Sequence, residues 1–233
     1  MLLAQPDSRP RFEVASVKPS AADSRIHLQF SQGQAVLTHV RLKDVVLAAY
    51  NLPRFLVSGG PGWMDTEHYD IVGKLAPTEG APPPQAQVLQ ALQVLLEERF
   101  RLKLHWETRR MPLYRLTVAK SGFKLKEGDP LPDNTPGGFL SSEGGRLVRR
   151  NVTIADLASS LSLNLGDPVE DATGLEGRYS FVLEWHREIN TGANVDEAGI
   201  VGALRSRLGL NLERGDGPVK TLVIDSAERP EAN

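Results

Sequence analysis

The sequence predicts an α+β fold built from two tandem pseudo-repeats of about 110 residues, each with mainly antiparallel strands packed on two helices. Three observations predict it. The first is self-similarity: "SQGQAVLTHVRLKDVVLAAY" (31–50) matches "SEGGRLVRRNVTIADLASSL" (142–161), with Asp44 and Asp156 at equivalent points. "HYDIVGKL" (68–75) matches "RYSFVLEW" (178–185), and "VLQALQVLLEERFRLKLHWE" (88–107) matches "GIVGALRSRLGLNLER" (199–214). "MPLYRLTVAKSG" (111–122) matches "GPVKTLVIDSAE" (217–228). The second observation is that the hydrophobic period switches between 2 and 3.6 at equivalent places in both copies. The third is punctuation, because glycine and proline clusters fall between the periodic runs.

Each copy reads as strand, strand, helix, strand, helix, strand, strand. "FEVASVKP" (12–19) opens the first copy, and "GFKLKEG" (122–128) supplies an opening strand for the second. Ser31-Gln32-Gly33-Gln34 suits a tight hairpin turn. Thr153 and Asp156 form a capping box ahead of the second copy's first helix. Val88, Leu92, Leu95 and Leu96 mark one helix face, as do Val201, Leu204 and Leu208. "EGDPLPDNTPGG" is rich in turn formers, which makes 127–138 a linker. The expected division is therefore a stub at 1–11, a first repeat at 12–126, the linker, and a second repeat at 139–233. The stub contains "MLLAQ", which reads either as the end of a signal peptide near its cleavage site or as a disordered start.

Composition removes several chemistries. The chain has no cysteine, so thiol nucleophiles, disulfides and thiolate metal sites are excluded. A net charge of −2 gives no general attraction for nucleic acid. No apolar run approaches the roughly 18 residues of a membrane span, so no integral membrane segment is expected in this chain. The nucleophile elbow, H-E-x-x-H, the Walker A loop and G-x-G-x-x-G are all absent.

The densest polar stretch is "LEERFRLKLHWETRRMPLYRLTV" (96–118). Alternation puts Phe100, Leu102, Leu104 and Trp106 on one face, with Lys103, His105, Glu107 and Arg109 on the other. A bend is expected at Arg110-Met111-Pro112. The second copy keeps the apolar face but has Gly209, Asn211 and Glu213 on the polar one. A polar face is therefore required there, whereas histidine and arginine are not. His105 with Glu107 could act as a general base pair, and the same residues also fit an exposed strand with cross-strand charge pairs.

"WMDTEHYD" (63–70) holds Asp65, His68 and Asp70, whose oxygens and imidazole could ligate a divalent metal, the one cofactor to be considered. A surface turn feeding a strand explains them equally. Trp63 follows the glycines of "SGGPGW", and Trp63, Arg109 and Asp171 are candidates to line a site for a small-molecule or peptide ligand. Asp171, just before Thr173-Gly174, also suits a structural turn cap.

"RFEVASVKPS", "GGPGWMDTEHYDIV", "LLEERFRLKLHWETRRMPLYRLTVAKSG", "DATGLEGRYSFVLEW" and "PVKTLVIDSAERPEAN" together resemble the soil-associated family of unknown function that is expanded in Acidobacteria. The resemblance runs from Phe12 to Asn233. It implies an exported protein, periplasmic or secreted, because members typically carry a signal peptide. It also implies sensing or binding, because some members are fused to a membrane peptidase similar to antibiotic-sensing receptors. The family offers no agreed catalytic residues. Where it often shows Tyr-Asp-Phe, this chain has Tyr179-Ser180-Phe181, which weakens a catalytic role for an acid at position 180. Two readings follow: an extracytoplasmic ligand-binding or sensor-like module, and a hydrolase of esters, lactones or glycosides, metal-assisted or using the His/carboxylate pair.

Overall fold

A computed structural model describes residues 9–21, 25–77, 81–129, 144–186 and 197–230. Part of the expected stub and most of the expected linker lie outside the described residues. The fold is α+β, with four helices and ten strands among the described residues. The chain forms two compact units. The first comprises Met1–Glu107 with Lys220–Asn233, and the second comprises Thr108–Val219.

In the first unit, β1 (Val14–Pro19), β2 (His27–Ser31), β3 (Gln34–Arg41) and β5 (His68–Lys74) form an antiparallel sheet in the order β1-β5-β3-β2. Gln32 (φ 49°) and Gly33 (φ 74°) occupy the β2–β3 turn, both left-handed as a two-residue hairpin of this kind requires. Helix α1 (Leu42–Tyr50) buries Leu42, Val45, Val46 and Ala49, one stripe at helical spacing. It stops at Asn51, which adopts the left-handed conformation at φ 50°. Helix α2 (Gln85–Arg99) buries Val88, Ala91, Leu92, Leu95 and Leu96. These stripes meet Leu37 and Ile71 around Phe100, which is fully buried. Removing a ring from such a core costs about 3–5 kcal/mol. The short strand β4 (Val57–Gly59) runs parallel to Leu222–Ile224 of β10 (Leu210–Ser226).

In the second unit, β7 (Gly144–Val152) pairs antiparallel with β9 (Tyr179–His186). Helix α3 (Ile154–Leu165) opens on the predicted capping box: Thr153 N–H donates to Asp156 Oδ2 at 2.9 Å, and Asp156 N–H donates to Thr153 Oγ1 at 3.2 Å. β8 (Val169–Asp171) pairs in parallel with Tyr114–Leu116 of β6 (Lys103–Val118). Helix α4 (Glu197–Ala203) continues as a wider π-type turn over Leu204–Leu208. Ile154, Leu157, Leu161, Phe181, Leu183, Leu204 and Leu210 form this unit's core.

Two local expectations are corrected. No bend interrupts 110–112: β6 is one strand of 16 residues, and β10 likewise runs for 17. Pro112 lacks an N–H but keeps the extended φ a strand needs, so it ends the strand only where a ladder bond is required of it. The segment 122–128 is not a strand; it makes isolated bonds, such as Lys124 N–H to Leu208 O at 3.0 Å, while Phe123 packs edge-on to Tyr179.

Candidate functional site in the first unit

The turn before β5 and the strand itself position the densest set of polar side chains. A short 3-10 turn, Gly62–Asp65, sets Trp63 on the unit's core and turns Asp65 outward. Asp65 Oδ2 accepts from Lys43 Nζ at 3.1 Å and Oδ1 from Arg54 Nη2 at 2.7 Å. Burial alone would raise the Asp65 carboxyl, but the bonds from Lys43 and Arg54 outweigh it and hold it below the usual carboxylate range.

Glu67 faces a different partner. Arg229 donates to both its carboxylate oxygens, with Nη2 to Oε1 at 2.6 Å and Nε to Oε2 at 3.1 Å. The same guanidinium lies 5.2 Å from the centre of the Trp63 ring. The Tyr69 hydroxyl donates to Glu67 Oε2 at 2.9 Å, and its ring packs edge-on to Phe100. Arg229 holds the Glu67 carboxyl low. Burial, reinforced by the adjacent Glu67 carboxylate, pushes the Tyr69 phenol up to about 12.

His68 stacks face to face on His39, with ring centres 4.0 Å apart and planes within 6°. His39 is left-handed at φ 53°, in a bulge where the β3–β5 register shifts. Its N–H donates to Asp70 Oδ1 at 2.9 Å, and its Nδ1 lies 3.2 Å from Ser20 Oγ. Asp65 is therefore taken up by Lys43 and Arg54, while His68 and Asp70 both meet His39, one at its ring and the other at its backbone N–H. Among the described residues no group of three or more His, Asp or Glu side chains is placed to hold a metal ion.

His105 and Glu107 share a face of β6, but the carboxylate that meets His105 is Asp225, with Oδ1 2.8 Å from Nδ1. The ammonium of Lys220 lies over the ring of the exposed Trp106 at 4.6 Å. Arg109 and Asp171 belong to the second unit. There Asp171 Oδ1 accepts from Thr173 N–H at 3.0 Å and Oγ1 at 2.7 Å, the turn cap that its spacing suggested.

An open cavity of about 360 Å³ lies between Arg11–Ala15 and the Ala91, Leu95 and Glu98 side of α2. Phe12 forms part of its wall and fits over Gly73, where any β-carbon would come within 2.6 Å of the ring. Sequence reasoning missed this cavity, Asp225 and Arg229. The only trace of Arg229 was its place in the closing phrase "SAERPEAN".

The fold and these clusters define an α+β protein with an open cavity on its first unit. The family model described as "Protein of unknown function (DUF3738)" matches residues 43–227, most of the chain, and the protein belongs to that family. No curated protein matches the chain, and no solved structure does.

Proposed function

We propose that the protein is an extracytoplasmic ligand-binding or sensor-like module. The observation that carries this is the cavity beside α2. Its volume of about 360 Å³ lies within the roughly 300–1,000 Å³ of small-molecule sites. Its lining mixes apolar side chains, Phe12, Ala91 and Leu95 among them, with the charged Arg11, Glu13, Glu98 and Arg99. Export rests on the resemblance to the soil-associated family. We also read the two units as copies of one plan. Both run strand, helix, short strand, strand, helix, and both carry a left-handed residue, His39 or Asn151, at a register shift before the first of these helices.

A thermal-shift screen of metabolites and short peptides tests the binding reading. A ligand at one hundred times its Kd should stabilise the fold by about 2.7 kcal/mol. Glu98→Trp, which fills the cavity from its exposed rim, should abolish the shift. Shifts untouched by that variant, or none across the screen, would remove the reading.

The His105–Asp225 pair favours a second reading, a hydrolase in which Asp225 orients His105 as general base. Turnover of ester or lactone probes that vanishes in His105→Ala would support it. Turnover that survives would discard it.

A further inference from the structure

We propose that the groove between β1 and α2 receives an extended peptide, which adds as a strand along the outer edge of β1 and brings a basic side chain to Glu13. The proposal rests on the binding reading above and names its ligand. β1 is the terminal strand of its sheet, paired with β5 on one side only. Such an edge leaves alternate backbone N–H and C=O groups without ladder partners, a template for another strand. Side chains of a strand alternate between its two faces, yet Glu13, Val14 and Ala15 all border the cavity in succession. Three consecutive residues border a cavity when the backbone edge itself faces it.

The opposite wall is a stripe of α2, Ala91, Leu95 and Glu98, at helical spacing. Ala91, Val94 and Leu95 are the small and aliphatic part of that wall, and Glu98 and Arg99 its charged part. Lys18 and Pro19 close the far end of β1, residue types that blunt edges, but the Val14 end has neither. Val14 is 65% exposed, an apolar β-branched side chain of the kind a cross-strand neighbour covers. The charges select the guest. On the rim, Arg11 and Glu98 pair with each other, and Arg99, the other cation of the lining, also has a partner. Glu13 is exposed and makes no ion pair among the described residues. The complementary group is a lysine or arginine of the peptide.

The probe is a fluorescein-labelled, capped heptapeptide that alternates valine and threonine around one central lysine. Three comparisons are read by anisotropy on the full chain, with amide exchange followed at 13–17. N-methylation of alternate peptide bonds should weaken binding at least about tenfold, because a strand's ladder bonds are lost. Glutamate in place of the lysine should weaken it roughly tenfold, and Glu13→Lys should reverse the order of those two peptides. That variant is exposed, and circular dichroism checks that it folds. Equal binding of the methylated peptide overturns the proposal. So does protection of β1 that tracks dimer formation by sedimentation, which would place a second copy on the edge. If the heptapeptides fail while a small molecule binds and is lost in Glu98→Trp, strand addition falls and the binding reading stands. If nothing binds, both fall.

Discussion

Tyr69 shows how a side chain takes its chemistry from its neighbours. Its ring is in the core, its hydroxyl is tied to Glu67, and Glu67 is tied to Arg229. A phenol raised from its ordinary 10.0 to about 12 stays protonated in the folded protein at pH values that ionise it in the unfolded chain. Its contribution to stability is therefore complete below pH 10 and is lost as the pH rises toward 12. Burial raises the Tyr50 phenol as well, so absorbance titration at alkaline pH should show both tyrosines ionising late, and Tyr69→Phe should remove the Tyr69 step. In Glu67→Gln that step should move toward the ordinary value. Asp65 and Glu67 act in the opposite sense. Their carboxyls are depressed, so the stability they add is present above the ordinary carboxylate range and fades as pH falls through their folded-state values. Urea midpoints measured from pH 6 downward should fall less in an Asp65→Asn, Glu67→Gln double variant than in the parent.

At the scale of elements, the two bulges explain residues that look functional in isolation. His39 and Asn151 are both left-handed, at φ 53° and 51°. Each has its N–H accepted by a side chain from the next long strand, Asp70 Oδ1 at 2.9 Å or Ser180 Oγ at 3.0 Å. Asp70 and Ser180 thus do the same backbone work, which is why serine can stand where the resemblance leads one to expect aspartate. Asp70→Ala should cost about 1–3 kcal/mol in chemical denaturation, the cost of an orphaned donor, and Ser180→Ala about 1 kcal/mol or less, because the exposed Asn151 N–H can turn to water. Asn151→Gly should be neutral or stabilising by up to about 1 kcal/mol, since glycine pays no penalty there. The helix caps were legible because a capping box is a local code: Thr153→Ala should cost about 1 kcal/mol. The continuity of β6 was not legible. Proline beside two arginines is the usual mark of a turn, and only the surrounding ladder decides otherwise.

For the molecule as a whole, what matters is how the chain is divided between the units. Each unit contains a segment from the distant half of the sequence: Lys220–Asn233 in the first, and the part of β6 from Thr108 onward in the second. Leu222–Ile224 pair with β4, and Tyr114–Leu116 pair with β8, in parallel in both cases. A chain cut within the 127–138 segment would leave each fragment without the strand its own unit needs. Fragments 1–129 and 130–233 should each lack a cooperative thermal transition and regain one when mixed. A cooperative transition in 1–129 alone would contradict this.

The sequence by itself determined the class of fold, the helix faces, the tight turn at Gln32-Gly33 and the cap at Thr153. These depend on residues a few positions apart, and periodicity and short-range hydrogen bonding record them directly. Tertiary structure alone decided that β6 continues through 110–112, that His105 meets Asp225 rather than Glu107, that Arg229 closes over Glu67 and Trp63, and that β1 borders a cavity. Those partners lie far apart along the chain, and pairings at such separations are fixed by which surfaces fold against each other, something no local pattern encodes.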